Sequence, residues 1–236
     1  MAYKLLHSFK PDVIFLTTGS GNKDEARIHE SIKLIESIGL KAYRPFEPFS
    51  DRQIYDLILE GKHDAFVEVK SALEQFILGK KYNRIFGDAL EGFNPSHDLC
   101  RYLINASVRS LQDNLPLENY SFLQDELFKC SEIEQDKEGL VLNLNVREVE
   151  AKLNACREYS QLKHEVDRFI ERFGVEFFNH EYFRKLSQTD MIKNWENEAP
   201  FYEIHGRKRV EEGVYKHVIS FDNHMKPLAK LLLNIP

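Results

Sequence analysis

Apolar positions along the chain fall into short solid runs separated by longer, spaced series, and the alternation of the two predicts the elements. Asp12-Val-Ile-Phe-Leu-Thr17 is a β-branched apolar run broken by Gly19-Ser-Gly-Asn22, the pattern of a buried strand ending in a loop. From Lys23 to Ile38 the apolar residues Ala26, Ile28, Ile32, Leu34, Ile35 and Ile38 keep close to a helical period, and Gly39 supplies a stop. Lys41-Ala-Tyr-Arg44 reads as a second short strand, ended by Pro45 and Pro48. A longer helical pattern covers Gln53 to Leu78 with Gly79 after it, Asn83 to Ala89 is the next strand, and Ser96 to Leu111 the next helix. Strands alternating with helices of this length predict βαβ units and a mainly parallel sheet. Ligands of such sheets lie at the carboxyl ends of the strands, so the loops Thr17 to Asp24 and Asp88 to Asp98 are expected side by side at one edge.

The second half is patterned differently. Gly139 to Asn145 alternates as a strand does, Arg147 to Phe173 is one long helical stretch closed by Gly174, and Phe201-Tyr-Glu-Ile204 reads as a strand. Lys216 to Leu233 is the last helix, in which Pro227 marks a kink or the start. The stretch from Asp113 to Gly139 is long, acidic and weakly periodic, the pattern of a lid or a mobile loop. The expected organisation is a single domain over 1–236, with core βα units to 112, an acidic loop over 113–138 and a mixed C-terminal extension from 139.

Composition narrows the class. The formal charge of −6 and a pI near 5.9 lack the clustered basic surface that nucleic-acid binding needs. No apolar run approaches the roughly 20 residues that span a bilayer, and Met-Ala-Tyr-Lys-Leu-Leu-His-Ser-Phe-Lys has neither a long apolar segment nor a small-residue cleavage site. Cys100, Cys130 and Cys156 are odd in number and widely spaced, which suits reduced thiols in a cytoplasmic protein.

The densest polar chemistry sits in Asp88-Ala-Leu-Glu-Gly-Phe-Asn-Pro-Ser-His-Asp98, between a strand signal and a helix signal. Asp, Glu and His suit zinc or another divalent metal. The same stretch also reads as a solvated turn, with Pro95 fixing the turn and Ser96 capping the helix. Asp88, Glu91, His97 and Asp98 together make a candidate carboxylate-rich site, and Asp222 with His224 a second candidate metal pair.

Beyond these patterns, Asp12 to Ala106 resembles the PIG-L/LmbE family of zinc-dependent N-acetylglucosaminide deacetylases. Val13-Ile-Phe-Leu-Thr-Thr-Gly19 is similar to that family's strand ending in Thr-Asp-Gly, with Thr18 where Asp is usual. Arg27-Ile-His-Glu30 resembles its Arg-x-x-Glu, Pro48-Phe-Ser-Asp51 its Pro-Asp-Gly loop, and Glu91-Gly-Phe-Asn-Pro-Ser-His-Asp98 its Glu-Gly-Gly-His-Pro-Asp-His-Asp. Lys152-Leu-Asn-Ala-Cys-Arg-Glu-Tyr159, Phe173-Gly-Val-Glu-Phe177, Pro200-Phe-Tyr-Glu203 and Gly206 to Lys216 continue the likeness to one branch of the family.

The resemblance implies a Rossmann-like three-layer sandwich that hydrolyses an N-acyl amide on an amino sugar or sugar conjugate. It implies His97 as a zinc ligand, Arg27, Asp51 and Glu91 as substrate-binding residues, and Asn94 and Asp98 as catalytic ones. Two departures weaken the implied chemistry. The family's first strand ends in His-Pro-Asp-Asp-Glu, which carries two zinc ligands and the water-activating carboxylate, and this chain contains no such segment. Asn94 stands where the family has a His, and an amide donates a hydrogen bond but cannot shuttle a proton. The alternative expectation is a non-catalytic carbohydrate- or partner-binding relative, with a homo-oligomer left open.

Overall fold

The computed structural model describes residues 2–19, 27–122, 138–158, 163–187, 189–193, 195 and 198–235. The fold is mixed α/β. Strands β1 (Val13–Ile14) and β2 (Ala42–Tyr43) pair in parallel across α2 (Ile28–Ser37), with Val13 opposite Ala42. The same pairing resumes as an isolated parallel bridge from Thr17 to Phe49. A second sheet has the order β3-β4-β6-β5. Its β3 (Arg84–Asp88) and β4 (Glu118–Phe122) are parallel, while β6 (His180–Lys185) is antiparallel to both β4 and β5 (Leu140–Asn143). The parallel strands therefore lie in the first half of the chain, and the antiparallel ones in the expected mixed extension.

Several expectations are corrected. The helical pattern of Gln53 to Leu78 divides into α3 (Asp51–Leu59) and α4 (Asp64–Lys80), because Gly61 turns the chain with a φ of +65°. Part of the acidic segment is β4, whose Asn119, Tyr120 and Ser121 are all buried. Polar residues pointing inward hide the strand's alternation. The rest of that segment, 123–137 with Cys130, lies outside the described residues, as do 20–26 of the first candidate loop. Arg147 to Phe173 contains α6 (Val146–Glu158) and α7 (Lys163–Phe173). Phe201-Tyr-Glu-Ile204 opens a helix, α8 (Phe201–Glu211), rather than a strand: Pro200 leads into it at φ −60°, and Tyr202, Glu203 and Gly206 form its buried face. At the end of the chain a π-helical turn, Phe221–Met225, runs into α9 (Lys226–Leu233), so Pro227 marks a start.

Helix α5 (Pro95–Leu111) organises the core. Its Leu99, Tyr102, Leu103 and Ala106 cluster with Ile54 and Ile58 of α3, Phe66 and Val69 of α4, and Leu228 and Leu232 of α9. The helix lies close against β3, since a Cβ on Gly87 would collide with Ile104 of α5. Phe86, the preceding residue, points to the opposite face, where its ring stacks on Tyr120 at 5.0 Å. Helix α1 (Tyr3–Phe9) covers that face through Leu5, which packs with Tyr120 and Phe183. The buried Glu181 carboxylate of β6 holds α1 in place. It accepts the backbone N–H groups of Lys4 and Leu5, each at 3.0 Å, and pairs with Lys152 Nζ of α6 at 3.1 Å.

Candidate functional site

Three helices begin around one polar cavity of about 280 Å³. Arg27 is the N-cap of α2. Its N–H and that of Ile28 donate to the Thr18 carbonyl at 2.8 and 3.0 Å, and its Nε donates to the Gly19 carbonyl. Gly19 has a φ of +65°, which brings that carbonyl round to the guanidinium. Thr17, Gly19 and Arg27 line one side of the cavity.

Asp51 and Tyr55, one turn apart on α3, line a second side. Asp51 does not cap its helix. Ser50 takes that role, in a capping box with Gln53, and Asp51 becomes the first helical residue. The Asp51 carboxylate is buried and accepts from Ser96 Oγ at 3.4 Å. Burial, with the Asp51 charge behind it, pushes the Tyr55 hydroxyl up to about 12, so it stays a neutral hydroxyl at neutral pH.

Asn94, Ser96 and His97 form the third side. The expected cap of α5, Ser96, is also displaced by one of its neighbours. Asn94, in an extended conformation, accepts from Ser96 N–H at 2.8 Å, and Pro95 occupies the first helical turn. The same Asn94 oxygen accepts from the Tyr55 hydroxyl at 3.3 Å. His97 is exposed, and among the described residues its ring has no hydrogen-bond partner. Tyr215, from the loop after α8, completes the lining.

The cavity thus brings together Arg27, Asp51, Asn94 and His97. Glu91 and Asp98 are not part of its lining. Glu91 is half-buried beside the buried Gly92. Asp98 is completely buried: Oδ1 accepts from Gly92 N–H at 3.2 Å, and Oδ2 has no partner among the described residues. Burial, opposed by the Gly92 and Glu91 N–H groups, pushes its carboxyl up to about 7. Asp222 is exposed and pairs with Lys226, while His224 Nδ1 accepts from Ser220 N–H at 3.0 Å. Neither lines the cavity. Burial and the neighbouring Asp88 both push the Cys100 thiol up, away from thiolate chemistry.

Sequence reasoning missed Tyr55 and Tyr215. Tyr55 had a signal, since it lies four residues after Asp51 on the same helical face. Tyr215 had none, because only the tertiary fold carries its loop to the cavity.

A catalytic zinc takes three protein ligands and a water. Of the residues lining the cavity, Asp51 and His97 are the charged or imidazole donors of that kind, and among the described residues no three His, Cys, Asp or Glu side chains cluster for a metal. The described residues do not fit a zinc site on their own. No protein-family model, curated protein or solved structure matches the chain. Among the described residues, no helix is long and apolar enough to cross a membrane.

Proposed function

We propose that the polar cavity binds a small polyhydroxylated ligand bearing an N-acyl group, an amino sugar or a sugar conjugate. The observation that carries this reading is the convergence of Arg27, Asp51, Tyr55 and Asn94, from three separate parts of the chain, on one cavity of sugar-ring dimensions, about 280 Å³. Asn94 uses its side-chain oxygen within the protein, which leaves its NH₂ group to donate to an acyl carbonyl. Asp51 accepts from ring hydroxyls, and so does the Tyr55 oxygen, whose proton is given to Asn94. The positive ends of α2, α3 and α5 favour a negatively charged substituent such as a glycosyl phosphate, with Asp51 partly offsetting them. In this reading β1 and β3 belong to a Rossmann-like three-layer sandwich, and the PIG-L/LmbE-like motifs point to the same ligand class.

Calorimetric titration with N-acetylglucosamine and with glucose tests the reading. The acetamido sugar is expected to bind about tenfold more tightly, the worth of one good hydrogen bond, and Asn94→Ala is expected to erase the difference. Equal affinities in the unmodified protein, or no heat from either sugar, contradict it.

A second reading, hydrolysis of the ligand's N-acyl bond, is favoured by His97, whose ring has no partner among the described residues and stands two helical residues from Pro95 at the same cavity. Zinc per chain, measured by elemental analysis on the protein and on His97→Ala, tests it. Near one zinc per chain, lost in the variant, supports hydrolysis; no zinc in the folded protein contradicts it.

A further inference from the structure

The second and larger cavity, of about 660 Å³, is bordered by β1 on one side and β3 on the other. These two strands run in the same direction. At their amino ends the Tyr82 hydroxyl, just before β3, donates to the Asp12 carboxylate, just before β1, and Lys80 Nζ pairs with that carboxylate at 3.9 Å. At their carboxyl ends Thr17, after β1, and Asn94, Ser96 and His97, after β3, line the same polar cavity.

Among the described residues each strand is paired on one edge only, β1 with β2 and β3 with β4. The other edges face the cavity. Val13 to Thr17 and Arg84 to Asp88 line it as consecutive residues. Neighbouring residues of a strand point to opposite faces, so a wall built from consecutive residues is a strand's edge. Both faces of the slot are covered by apolar side chains. Leu5 and Phe9 of α1 lie on the Phe86 face, and Leu103 and Ile104 of α5, with Ile77 of the adjoining α4, on the Gly87 face. A five-residue strand is about 17 Å long, in a sheet with strands about 5 Å apart and layers about 10 Å thick, a volume on the order of 800 Å³. The cavity is of this size.

We propose that the slot binds a partner peptide as an added β-strand, parallel to β1 and β3 and hydrogen-bonded to both. Its chemistry follows from the walls. A parallel strand buried on both faces is apolar and β-branched throughout rather than alternating, and its ladder satisfies two rows of main-chain groups at once. The apolar runs within these 236 residues are already placed in other elements, and the sequences outside the described residues, such as Ser20-Gly-Asn-Lys-Asp-Glu-Ala26, are charged or broken. The peptide therefore comes from outside these residues. Its carboxyl end emerges beside Thr17 and His97, which line both cavities, so the residues after the strand enter the polar cavity. The inference rests on the two strand edges and holds whether or not that cavity binds a sugar.

The probe is a synthetic peptide, acetyl-Lys-Val-Ile-Val-Ile-Val-Lys-amide, added to the native chain and, in parallel, present while the chain refolds from urea. Hydrogen exchange is followed by mass spectrometry. At a concentration tenfold above its dissociation constant, the peptide is expected to slow exchange in both Val13–Thr17 and Arg84–Asp88 by about tenfold. A peptide with Pro at the central position is expected to leave both unchanged, since Pro breaks a ladder on either side. The proposal is overturned if neither segment slows under either condition or only one does. It is also overturned if the outer strands β2 and β5 slow as much, or if the Pro peptide works equally well.

Discussion

Helix α5 is polar at two depths, and the two are built differently. At its middle, Arg101 is fully buried with every guanidinium nitrogen bonded to the protein: Nε donates to the Asp88 carbonyl, Nη1 to Asn119 Oδ1 at 2.7 Å and Asn105 Oδ1 at 3.4 Å, and Nη2 to the Tyr120 carbonyl at 3.0 Å. Asn119 and Asn105 bond each other at 2.9 Å, and Asn105 reaches the Met191 carbonyl at 3.2 Å. Burial lowers the guanidinium to about 10, which leaves it charged at neutral pH. At the first turn, Asn94 and His97 keep hydrogen-bonding capacity that the described protein does not use. Groups whose capacity is spent inside the molecule tie α5 to β3 and β4; groups with capacity left, at the wet end of the same helix, recognise a ligand. Asp98 stands between the two, buried like Arg101 but satisfied at one oxygen only.

The sharpest way to break the contrast is to remove the hydrogen-bonded centre. Arg101→Met leaves two buried Asn side chains and two carbonyls short of a donor, and is expected to cost about 3–5 kcal/mol in urea unfolding. Loss of less than 1 kcal/mol, on the order of a surface change, would mean that the network is not what anchors the helix.

Asp98 gives the next effect, and it depends on pH. Its folded carboxyl keeps its proton up to about 7, above the ordinary value of 3.8, so the folded state binds more protons between those values. The contribution is fully present below 3.8 and is lost as pH rises through about 7. The loss reaches at most about 4 kcal/mol. Unfolding midpoints at acidic and mildly alkaline pH measure it, and Asp98→Asn is expected to flatten the profile and to exceed the unmodified protein in stability on the alkaline side.

At the open end the effects on stability shrink while those on binding grow. Asn94→Ala removes the cap of α5 and is expected to cost about 1 kcal/mol, together with the preference for an acetamido sugar. His97→Ala, at an exposed ring, is expected to stay within about 0.5 kcal/mol of the unmodified protein in the same unfolding measurement.

Much of this was legible in the chain itself, because solid apolar runs and helical spacing mark β1, β3 and α5 directly. Placing the loops after β1 and β3 side by side was enough to bring Thr17, Gly19, Asn94 and His97 together, although the two strands lie in separate sheets. What escaped was set by tertiary partners. Strand β4 shows no alternation, because Asn119 faces the buried Arg101 network. Helix α8 begins with Phe-Tyr-Glu-Ile, a strand-like start, and is decided by Pro200 and by Gly206, where an added Cβ would stand 3.3 Å from Val218. The burial of Asp98 has no local signature either. Its place in the first turn of α5 reads equally well as a cavity-facing acid, and only the packing of the Gly92 loop over it turns it inward.

The central claim, that the open end of α5 is the recognition surface, is most directly tested by heteronuclear NMR of isotope-labelled protein titrated with N-acetylglucosamine. Saturable shifts confined to the amides around Gly19, Arg27, Asp51, Tyr55, Asn94 and His97 are the predicted result. Shifts that map elsewhere, or none at concentrations where the sugar is in large excess, would contradict it.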